Sequence, residues 1–405
     1  MKIWNFISLF LTIFMLGTGI KLNSSNLENT DVTDNTETII ANSTYIPQDN
    51  GEEMRGIWVS YITLDMEGTG RTQEEFKAKI DDIITNSKDK GYNTLIVQVR
   101  PFNDALYKSK IFPTSHIIVE NQGDKMDYDP LQIVIDKAHQ NGLKVHAWVN
   151  PYRVALANYP DTLSKDNPYT QNTNLGVKLD NGIYLNPAYE EVTDLIVDGV
   201  KEIVANYDVD GIQFDDYFYP TDDKSFDQKE YDAYVKSIND PCKTYTLEAW
   251  RINNVNNMVK QVYDAIHQTK QGVVFGISPQ GNIGNNSSLY ADVVTWSTEE
   301  GYVDYIAPQL YFSLDNPALT FEEAVADWQN LKLADGVKIY AGLAGYKAGT
   351  DADSGTWEDN NDILAQELEI VRDNDFDGII LYSYESLLQP NAEAEINNLS
   401  QVLIE

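Results

Sequence analysis

The segment Gly211-Ile212-Gln213-Phe214-Asp215-Asp216-Tyr217 decides the fold that we predict for this chain. Its apolar and polar residues alternate, as in a β-strand whose successive side chains point to opposite faces. Ile212 and Phe214 would then face covering helices, whereas Gln213 and Asp215 would face the axis of a barrel. A carboxylate at the end of such a strand is typical of the mouth of a (β/α)8 barrel, where the active sites of this fold lie.

Seven further apolar, β-branched runs surround this segment, with amphipathic helical stretches between them. The eight runs are Arg55–Tyr61, Thr94–Arg100, Lys144–Asn150, Gly211–Tyr217, Val273–Pro279, Tyr305–Phe312, Lys338–Tyr346 and Gly378–Tyr384. We therefore predict an α/β protein, a (β/α)8 TIM barrel with long loops after strands 2, 3 and 4 (Pro101–Asp129, Pro151–Asn186 and Phe218–Thr246). A doubly wound sheet shows the same alternation, but it gathers its polar site residues at one switch point, whereas here they end nearly every run.

The amino-terminal region differs in composition from the rest of the chain. Met1-Lys2 and the almost uncharged stretch that follows predict a signal peptide or an N-terminal membrane anchor over residues 1–21. Residues 22–53 are rich in Asn, Ser, Thr, Asp and Glu and predict a flexible polar linker, which leaves residues 54–405 for the barrel. We expect an exported protein that is extracellular or associated with the cell envelope.

Charge and motif content exclude several classes of function. The 63 acidic and 29 basic residues give a formal charge of −34, which argues against a nucleic-acid partner. The four histidines form no zinc-binding pair and no glycine-rich phosphate loop follows a strand, so we predict neither a metal nor another cofactor. The chain has one cysteine, Cys242, so an intrachain disulfide is impossible. The sequence leaves the oligomeric state open.

Four carboxylates are candidates for catalysis. Glycoside hydrolysis commonly uses two carboxyl groups, one ionised as nucleophile or base and one protonated as acid. Asp215 suits the ionised role because it should point into the barrel mouth. The acid stays open between Asp216, Glu385 and Asp104, each of which could instead order a loop by accepting hydrogen bonds.

Aromatic, amide and basic residues also gather at the predicted strand ends, where they could bind a polyhydroxylated ligand. Each of them alone is more often a packing residue than a binding residue, but their common location favours binding. The predicted substrate-binding residues are Arg100, Asn103, Trp148, Asn150, Tyr152, Arg153, Tyr217, Gln280, Asn282, Gln309, Tyr311 and Tyr384.

Taken together, five segments resemble the bacterial glycosyl hydrolase-like family ten. These segments are Met54–Val59, Gln98–Tyr107, Ala147–Arg153, Gly211–Pro220 and Ala307–Tyr311. The resemblance implies a barrel fold, a cell-envelope setting and hydrolysis of carbohydrate. A characterised relative in this family cleaves peptidoglycan glycan strands stripped of their peptides, so the resemblance implies such denuded strands as substrate. Their muramic acid carries a lactyl carboxylate, which we expect Arg100 or Arg153 to pair with.

Two other functions remain possible at this stage. A non-catalytic envelope protein could use a degenerate barrel to bind glycan, which the uncertain second carboxylate favours. An α-glucan or α-galactoside hydrolase is the other alternative, because the fourth strand looks like that of α-amylases and α-galactosidases, with Gln213 two residues before Asp215.

Overall fold

A computed structural model of the chain describes residues 45–47, 51–157, 159–238, 240, 242–358 and 360–404. The predicted signal or anchor segment and most of the predicted linker lie outside the described residues. Within those ranges, none of the helices has both the length and the hydropathy that crossing a bilayer requires.

Parallel strands form the centre of the fold, as the alternating pattern predicts. The strands of the protein are β1 (Met54–Val59), β2 (Thr94–Arg100), β3 (Lys144–Val149), β4 (Arg153–Leu156), β5 (Gly176–Leu179), β6 (Gly182–Leu185), β7 (Gly211–Phe214), β8 (Val274–Ile277), β9 (Tyr305–Ile306), β10 (Lys338–Ile339), β11 (Ala341–Leu343) and β12 (Gly378–Leu381). Nine of them form one sheet in the order β10-β9-β8-β7-β3-β2-β1-β12-β11. Since only Tyr340 separates β10 from β11, the sheet nearly closes into a barrel, which confirms the predicted fold class.

Helices cover the outside of this barrel. They are α1 (Tyr61–Leu64), α2 (Gln73–Asp89), α3 (Pro130–Gln140), α4 (Pro168–Gln171), α5 (Glu190–Asn206), α6 (Gln228–Ile238), α7 (Leu247–Thr269), α8 (Val293–Thr298), α9 (Phe321–Gln329), α10 (Ala352–Gly355), α11 (Ile363–Asp373) and α12 (Glu393–Ile404). Local sequence features determine where several helices begin. Examples are the capping box of Thr72 and Glu75 at α2 and Pro130 in the first turn of α3.

Two of the predicted long loops contain regular structure that the sequence pattern did not indicate. The insertion after β3 holds a small antiparallel sheet in the order β4-β6-β5. The insertion after β7 holds α6, a helix with no buried residue. A buried ion pair between Arg251 of α7 and Asp227 fastens this second insertion to the barrel, with 2.5 Å between nitrogen and oxygen.

Apolar side chains fill two layers, one between strands and helices and one inside the barrel. The inner cluster consists of Met54, Trp58, Ile96, Trp148, Tyr305, Ala307, Tyr340 and Ile380. Gly276 leaves room for the Tyr305 ring, because a Cβ atom at that glycine would lie 2.1 Å from the ring. The inner cluster closes the barrel interior below the carboxyl ends of the strands, so that a ligand can enter only from the mouth.

Candidate active site

Asp215 lies in the mouth, directly beyond the end of β7, and faces the barrel axis as strand alternation predicts. Its Oδ2 atom accepts hydrogen bonds from Trp148 Nε1 and Asn150 Nδ2, both at 3.0 Å. Its Oδ1 atom accepts from Asn150 Nδ2 at 3.2 Å and from the Tyr217 backbone N–H at 3.4 Å. The carboxylate is therefore buried among groups that donate to it.

Asp216 also lies in the mouth, although simple alternation would turn it outward. Its Oδ2 atom accepts a hydrogen bond from Gln280 Nε2, and its Oδ1 atom accepts one from Gln309 Nε2 at 3.2 Å. The chain leaves the strand after Phe214, so the period of two no longer applies at Asp216. Two consecutive carboxyl groups consequently line the mouth, and each has its own set of hydrogen-bond donors.

Burial raises the pKa of both carboxyl groups. Burial raises the pKa of Asp215 to about 7, the Asp216 carboxylate adds to this, and the Arg153 guanidinium and the donors Trp148 and Asn150 oppose it. The pKa of Asp216 is also raised by burial, against the hydrogen bonds from its glutamine partners. One proton can therefore reside on this pair near neutral pH.

A polar chain inside the barrel supports the site from below. Gln213 accepts a hydrogen bond from Trp58 Nε1 at 2.5 Å and donates through Nε2 to the Tyr305 hydroxyl at 3.2 Å. The same hydroxyl lies 3.0 Å from His146 Nδ1, and burial lowers the pKa of His146 to about 4. His146 is thus a neutral, hydrogen-bonded residue of the barrel interior and does not reach the mouth.

Tyrosine rings form a wall beside the two aspartates. Tyr217 is 53% exposed although it follows the buried pair directly. Tyr311, Tyr346 and Tyr382 contact one another, with ring centroids 5.7 to 6.0 Å apart. Such a wall suits the apolar C–H faces of a sugar ring.

Arg153 and Asn150 connect the mouth to the small sheet. The Asn150 side-chain oxygen accepts from the Arg153 backbone N–H at 2.9 Å, which directs the Asn150 amide nitrogen toward Asp215. Arg153 Nε donates to the Pro101 carbonyl at 3.0 Å, and the guanidinium lies 5.5 Å from the centre of the Tyr217 ring. Arg153 therefore lies beside Tyr217 and Asp215, at the mouth where the sequence predicts it.

The predicted position of Arg100 at the mouth is wrong. The pairing of β2 with β3 shifts register between Gln98 and Arg100, and this bulge turns Arg100 to the outer face of the sheet. The guanidinium lies against the Phe112 ring, 4.5 Å from its centre, and close to Gly199 of α5. Arg100 is fully buried there and cannot contact a ligand in the mouth.

Asp104 and Glu385, two of the candidate acids, are held by other groups. Asp104 is completely buried. Its Oδ2 atom accepts a hydrogen bond from Gln122 Nε2 at 3.0 Å and lies 3.4 Å from His116 Nδ1. Glu385 Oε1 accepts from the Ser60 hydroxyl at 2.8 Å and from the Thr63 hydroxyl, and Oε2 accepts from the Ser383 hydroxyl. Both carboxylates order loops in the positions where the structure places them.

Among the described residues, four predicted binding residues make no hydrogen bond to the pair. Asn103 donates to Asn167 at 3.4 Å inside the loop after β2, and Asn282 accepts from the Gly284 backbone at 2.9 Å. The Tyr384 hydroxyl accepts from Asn86 of α2 at 2.8 Å, which places it behind the barrel wall. Tyr152 is fully buried. Trp148, Asn150, Arg153, Tyr217, Gln280, Gln309 and Tyr311 remain around the pair.

Tyr382 is a site residue that the sequence prediction missed. Its ring contacts Tyr311 and Tyr346. Burial raises the pKa of Tyr382, and the nearby Asp215 charge adds to this effect. Strand phase could have found it, because Ile380 points into the barrel and the residue two positions later must point the same way. We had selected Tyr384 instead, two residues too far along the chain.

The described ranges contain no group of three or more His, Cys, Asp or Glu side chains that could hold a metal ion.

Comparison with known proteins identifies relatives for most of the chain. Residues 53–359 match the family model described as glycosyl hydrolase-like 10. A glycosyl hydrolase of Bacillus subtilis, YngK, is 33% identical over 348 residues, covering 79% of this chain and 67% of that protein. The Escherichia coli K12 glycosyl hydrolase DigH is 31% identical over 395 residues, covering 87% of this chain and 88% of that protein.

Solved structures share the fold at low sequence identity. The glycoside hydrolase domain of PgaB from Bordetella bronchiseptica superposes with a TM-score of 0.59 at 14% identity, covering 86% of this chain and 99% of that one. The catalytic domain of a β-amylase from Paenibacillus polymyxa gives 0.54 at 11% identity, covering 87% and 97%. Both similarities concern the barrel alone.

Proposed function

Because the chain belongs to the glycosyl hydrolase-like 10 family, we propose that it hydrolyses O-glycosidic bonds with the Asp215–Asp216 pair as its catalytic centre. The observation that carries the proposal is the position of this pair, buried in the mouth with Asp215 among donors that stabilise its ionised form. The tyrosine wall beside the pair provides stacking surfaces for sugar rings.

The substrate that we propose is a polysaccharide of the cell envelope, namely peptide-free peptidoglycan glycan strands. The predicted export signal, the family membership and the Arg153 guanidinium in an otherwise acidic protein support this choice. Each muramic acid of such a strand carries a lactyl carboxylate, and a planar guanidinium can bind a carboxylate through two parallel hydrogen bonds. We propose an exported or envelope-associated location on the same grounds.

A glycan-binding protein without catalysis is the second candidate. It is favoured by the surroundings of the other two candidate acids, since Asp104 is completely buried and Glu385 accepts hydrogen bonds from hydroxyl groups. The two candidates differ in one respect that can be measured directly, which is whether new reducing ends form.

The experiment incubates the purified protein and Asp215→Asn with peptide-free glycan strands, chitin-type oligomers and α-glucan, and it measures both reducing ends and binding. We expect the unaltered protein to release reducing ends from the peptide-free strands. Asp215→Asn should lose this activity and retain binding, because the amide preserves shape but removes the charge. Binding without release by the unaltered protein would favour the binding function, and full activity of Asp215→Asn would overturn the assigned centre.

A further inference from the structure

The two aspartates of the mouth stand on one wall of the barrel. They are consecutive residues at the end of a single strand, and their hydrogen-bond partners lie on opposite sides of them. A two-carboxyl glycosidase instead places its groups on both sides of the scissile bond, about 5–5.5 Å apart for retention or about 6.5–9.5 Å for inversion. Among the described residues, Asp104 and Glu385 are the candidates for the opposite side. Asp104 is completely buried beside Gln122, and Glu385 accepts hydrogen bonds from the Ser60 and Thr63 hydroxyls. A nucleophile carried by the substrate would replace the carboxyl group that otherwise attacks C1 or activates water from across the mouth.

The partners of Asp215 favour its ionised form. The Trp148 indole N–H can only donate, and the Asn150 amide is oriented by the Arg153 backbone N–H, so that its NH2 group faces the carboxylate. A carboxylate offers about four acceptor positions, and the Trp148, Asn150 and Tyr217 donors leave about one of them for a ligand. An N–H group of a substrate is the natural partner for that position.

The partners of Asp216 tolerate a proton. Gln309 Nε2 is fixed because it also donates to the Ser278 carbonyl at 3.0 Å. The Gln280 amide carries a donor and an acceptor, so a half-turn about its last bond presents oxygen to a protonated Asp216. When the pair holds a single proton, these contacts place the proton on Asp216 and the charge on Asp215.

We propose that the substrate supplies its own nucleophile, namely the carbonyl oxygen of a 2-acetamido group on the sugar being cleaved. This inference rests on the proposed function and narrows its substrates to 2-acetamido sugars. The Asp215 carboxylate accepts the acetamido N–H and so holds the carbonyl oxygen against C1. The Asp216 carboxylic acid donates its proton to the glycosidic oxygen.

The atoms balance over two steps. In the first, the bond from C1 to the leaving sugar breaks with its electron pair on oxygen, the Asp216 proton neutralises that oxygen, and the amide oxygen bonds to C1 to give a cyclic oxazolinium ion. The Asp215 charge stabilises this cation. In the second, water adds to C1, the Asp216 carboxylate takes its proton, and the bond from C1 to the amide oxygen breaks. Two inversions at C1 give net retention of configuration.

Burial raises the pKa of both groups, so that the pair can hold one proton near neutral pH, and the hydrogen-bond partners of each aspartate decide which one carries it.

The test uses the full chain and peptide-free strands prepared in three forms, with the 2-amino group acetylated, trifluoroacetylated or free. We expect cleavage of the acetylated strands with retained anomeric configuration. Trifluoroacetylation should slow turnover by about 10³-fold, because it weakens the oxygen of an intramolecular nucleophile. The free amine should not be cleaved. Equal cleavage of acetylated and free-amine strands, or inverted product, would overturn the inference while leaving the proposed function intact.

Glu385→Gln provides the control for a carboxyl acting from elsewhere. We expect it to keep turnover and the dependence on the 2-substituent, since its hydroxyl partners hold it outside the pair. A loss of turnover as large as that of Asp216→Asn would place the acid at Glu385 and overturn the inference. A protein that cleaves none of the three forms would overturn both the inference and the proposed function.

Discussion

Among the residues that the structure describes, two pairs of buried carboxyl groups differ in what surrounds them. Asp215 and Asp216 lie in the mouth, and their oxygens accept hydrogen bonds from indole and amide N–H groups. Glu367 of α11 and Glu395 of α12 lie behind the barrel wall, and among the described residues both oxygens of Glu367 and Oε2 of Glu395 have no hydrogen-bond partner. Burial raises the pKa of both pairs, and in each a neighbouring carboxylate adds to the effect.

The difference shows that a raised pKa alone does not mark a catalytic carboxyl. Glu395 Oε1 accepts from the Leu364 backbone N–H at 2.5 Å, and burial raises its pKa to about 7. Glu367, with no donor to stabilise a charge, is the kind of buried carboxyl that stays protonated. The aspartates combine burial with donors and an opening to solvent, which allows one group to be charged while the other is neutral.

The largest expected effect is on turnover, and it distinguishes the aspartate pair from the glutamate pair. Asp216→Asn should lower kcat on glycan strands by about 10²–10⁴-fold, because it removes a general acid. Aryl glycosides whose leaving group needs no proton should recover much of that loss. Glu367→Gln is the matched control and should leave kcat unchanged, as its side chain lies on α11 away from the mouth. An equal loss in both variants, or no recovery with aryl glycosides, would contradict the assigned acid.

The sequence predicted the barrel and the position of Asp215 because both follow from regular periods. The alternation of Gln213 and Phe214 between inner and outer faces is confirmed by the contacts of Gln213 with Trp58 and of Phe214 with Phe275. The seventh predicted run, Lys338–Tyr346, was also recognised, although the structure divides it at Tyr340 into β10 and β11.

Failures of the sequence prediction occur where the backbone is irregular. The bulge before Arg100 reverses its direction, and no residue in the Gln98–Arg100 segment signals that shift. Asp216 enters the mouth because the strand has already ended. Two of the three hydroxyl partners of Glu385 come from Ser60 and Thr63, more than 300 residues away in the chain, and no local pattern could reveal them.

The pH dependence of activity should report on the two aspartates separately. If one proton on the pair is required, kcat/KM follows a bell-shaped curve. Trp148 donates to Asp215, so Trp148→Phe should raise the pKa of Asp215 and move the acidic limb upward by about one unit, given about 1.5 kcal/mol for such a hydrogen bond. Gln280 donates to Asp216, so Gln280→Leu should move the alkaline limb upward instead. A shift of the same limb in both variants would contradict the assignment.

Stability should respond to pH through the glutamate pair. Glu367 and Glu395 have raised pKa values in the folded state, so that the folded protein retains protons that the unfolded chain releases above pH 4.5. Their contribution to stability is therefore lost as the pH rises from 4.5 through about 7, the pKa of Glu395. Glu367→Gln should leave Tm nearly unchanged at pH 4 and raise it at pH 8, by about 2–4 °C for each kcal/mol gained.

Glu369→Gln is the control for that measurement. Glu369 lies exposed on the same helix, and its substitution also removes one carboxyl group. Thermal unfolding of both variants across this pH range distinguishes burial from a general effect of net charge. A similar gain in Tm at pH 8 for Glu369→Gln would attribute the effect to the −34 charge of the chain instead of to the buried pair.

Each pair also has one neighbouring cation, and the two cations differ in what else they bind. Lys347, whose charge lowers the pKa of Glu367, is held by Asp353 at 2.6 Å and by the Tyr311 carbonyl at 2.7 Å. The Arg153 guanidinium lowers the pKa of Asp215 and lies beside the exposed Tyr217 ring. Only the second cation borders the mouth, where a carboxylate of the substrate could meet it.

The smallest effect that we expect concerns recognition of the lactyl carboxylate by Arg153. Arg153→Lys retains the positive charge beside Asp215 but loses the planar group that binds a carboxylate through two hydrogen bonds. The ratio of kcat/KM for peptide-free peptidoglycan to that for an uncharged chitin-type oligomer should fall by about tenfold, which corresponds to about 1.4 kcal/mol. Arg153→Ala should lower this ratio further and should also raise the acidic limb of the pH profile, since the cation beside Asp215 is gone. An unchanged ratio in Arg153→Ala would exclude Arg153 as the residue that selects muramic acid, whatever happened to the pH profile.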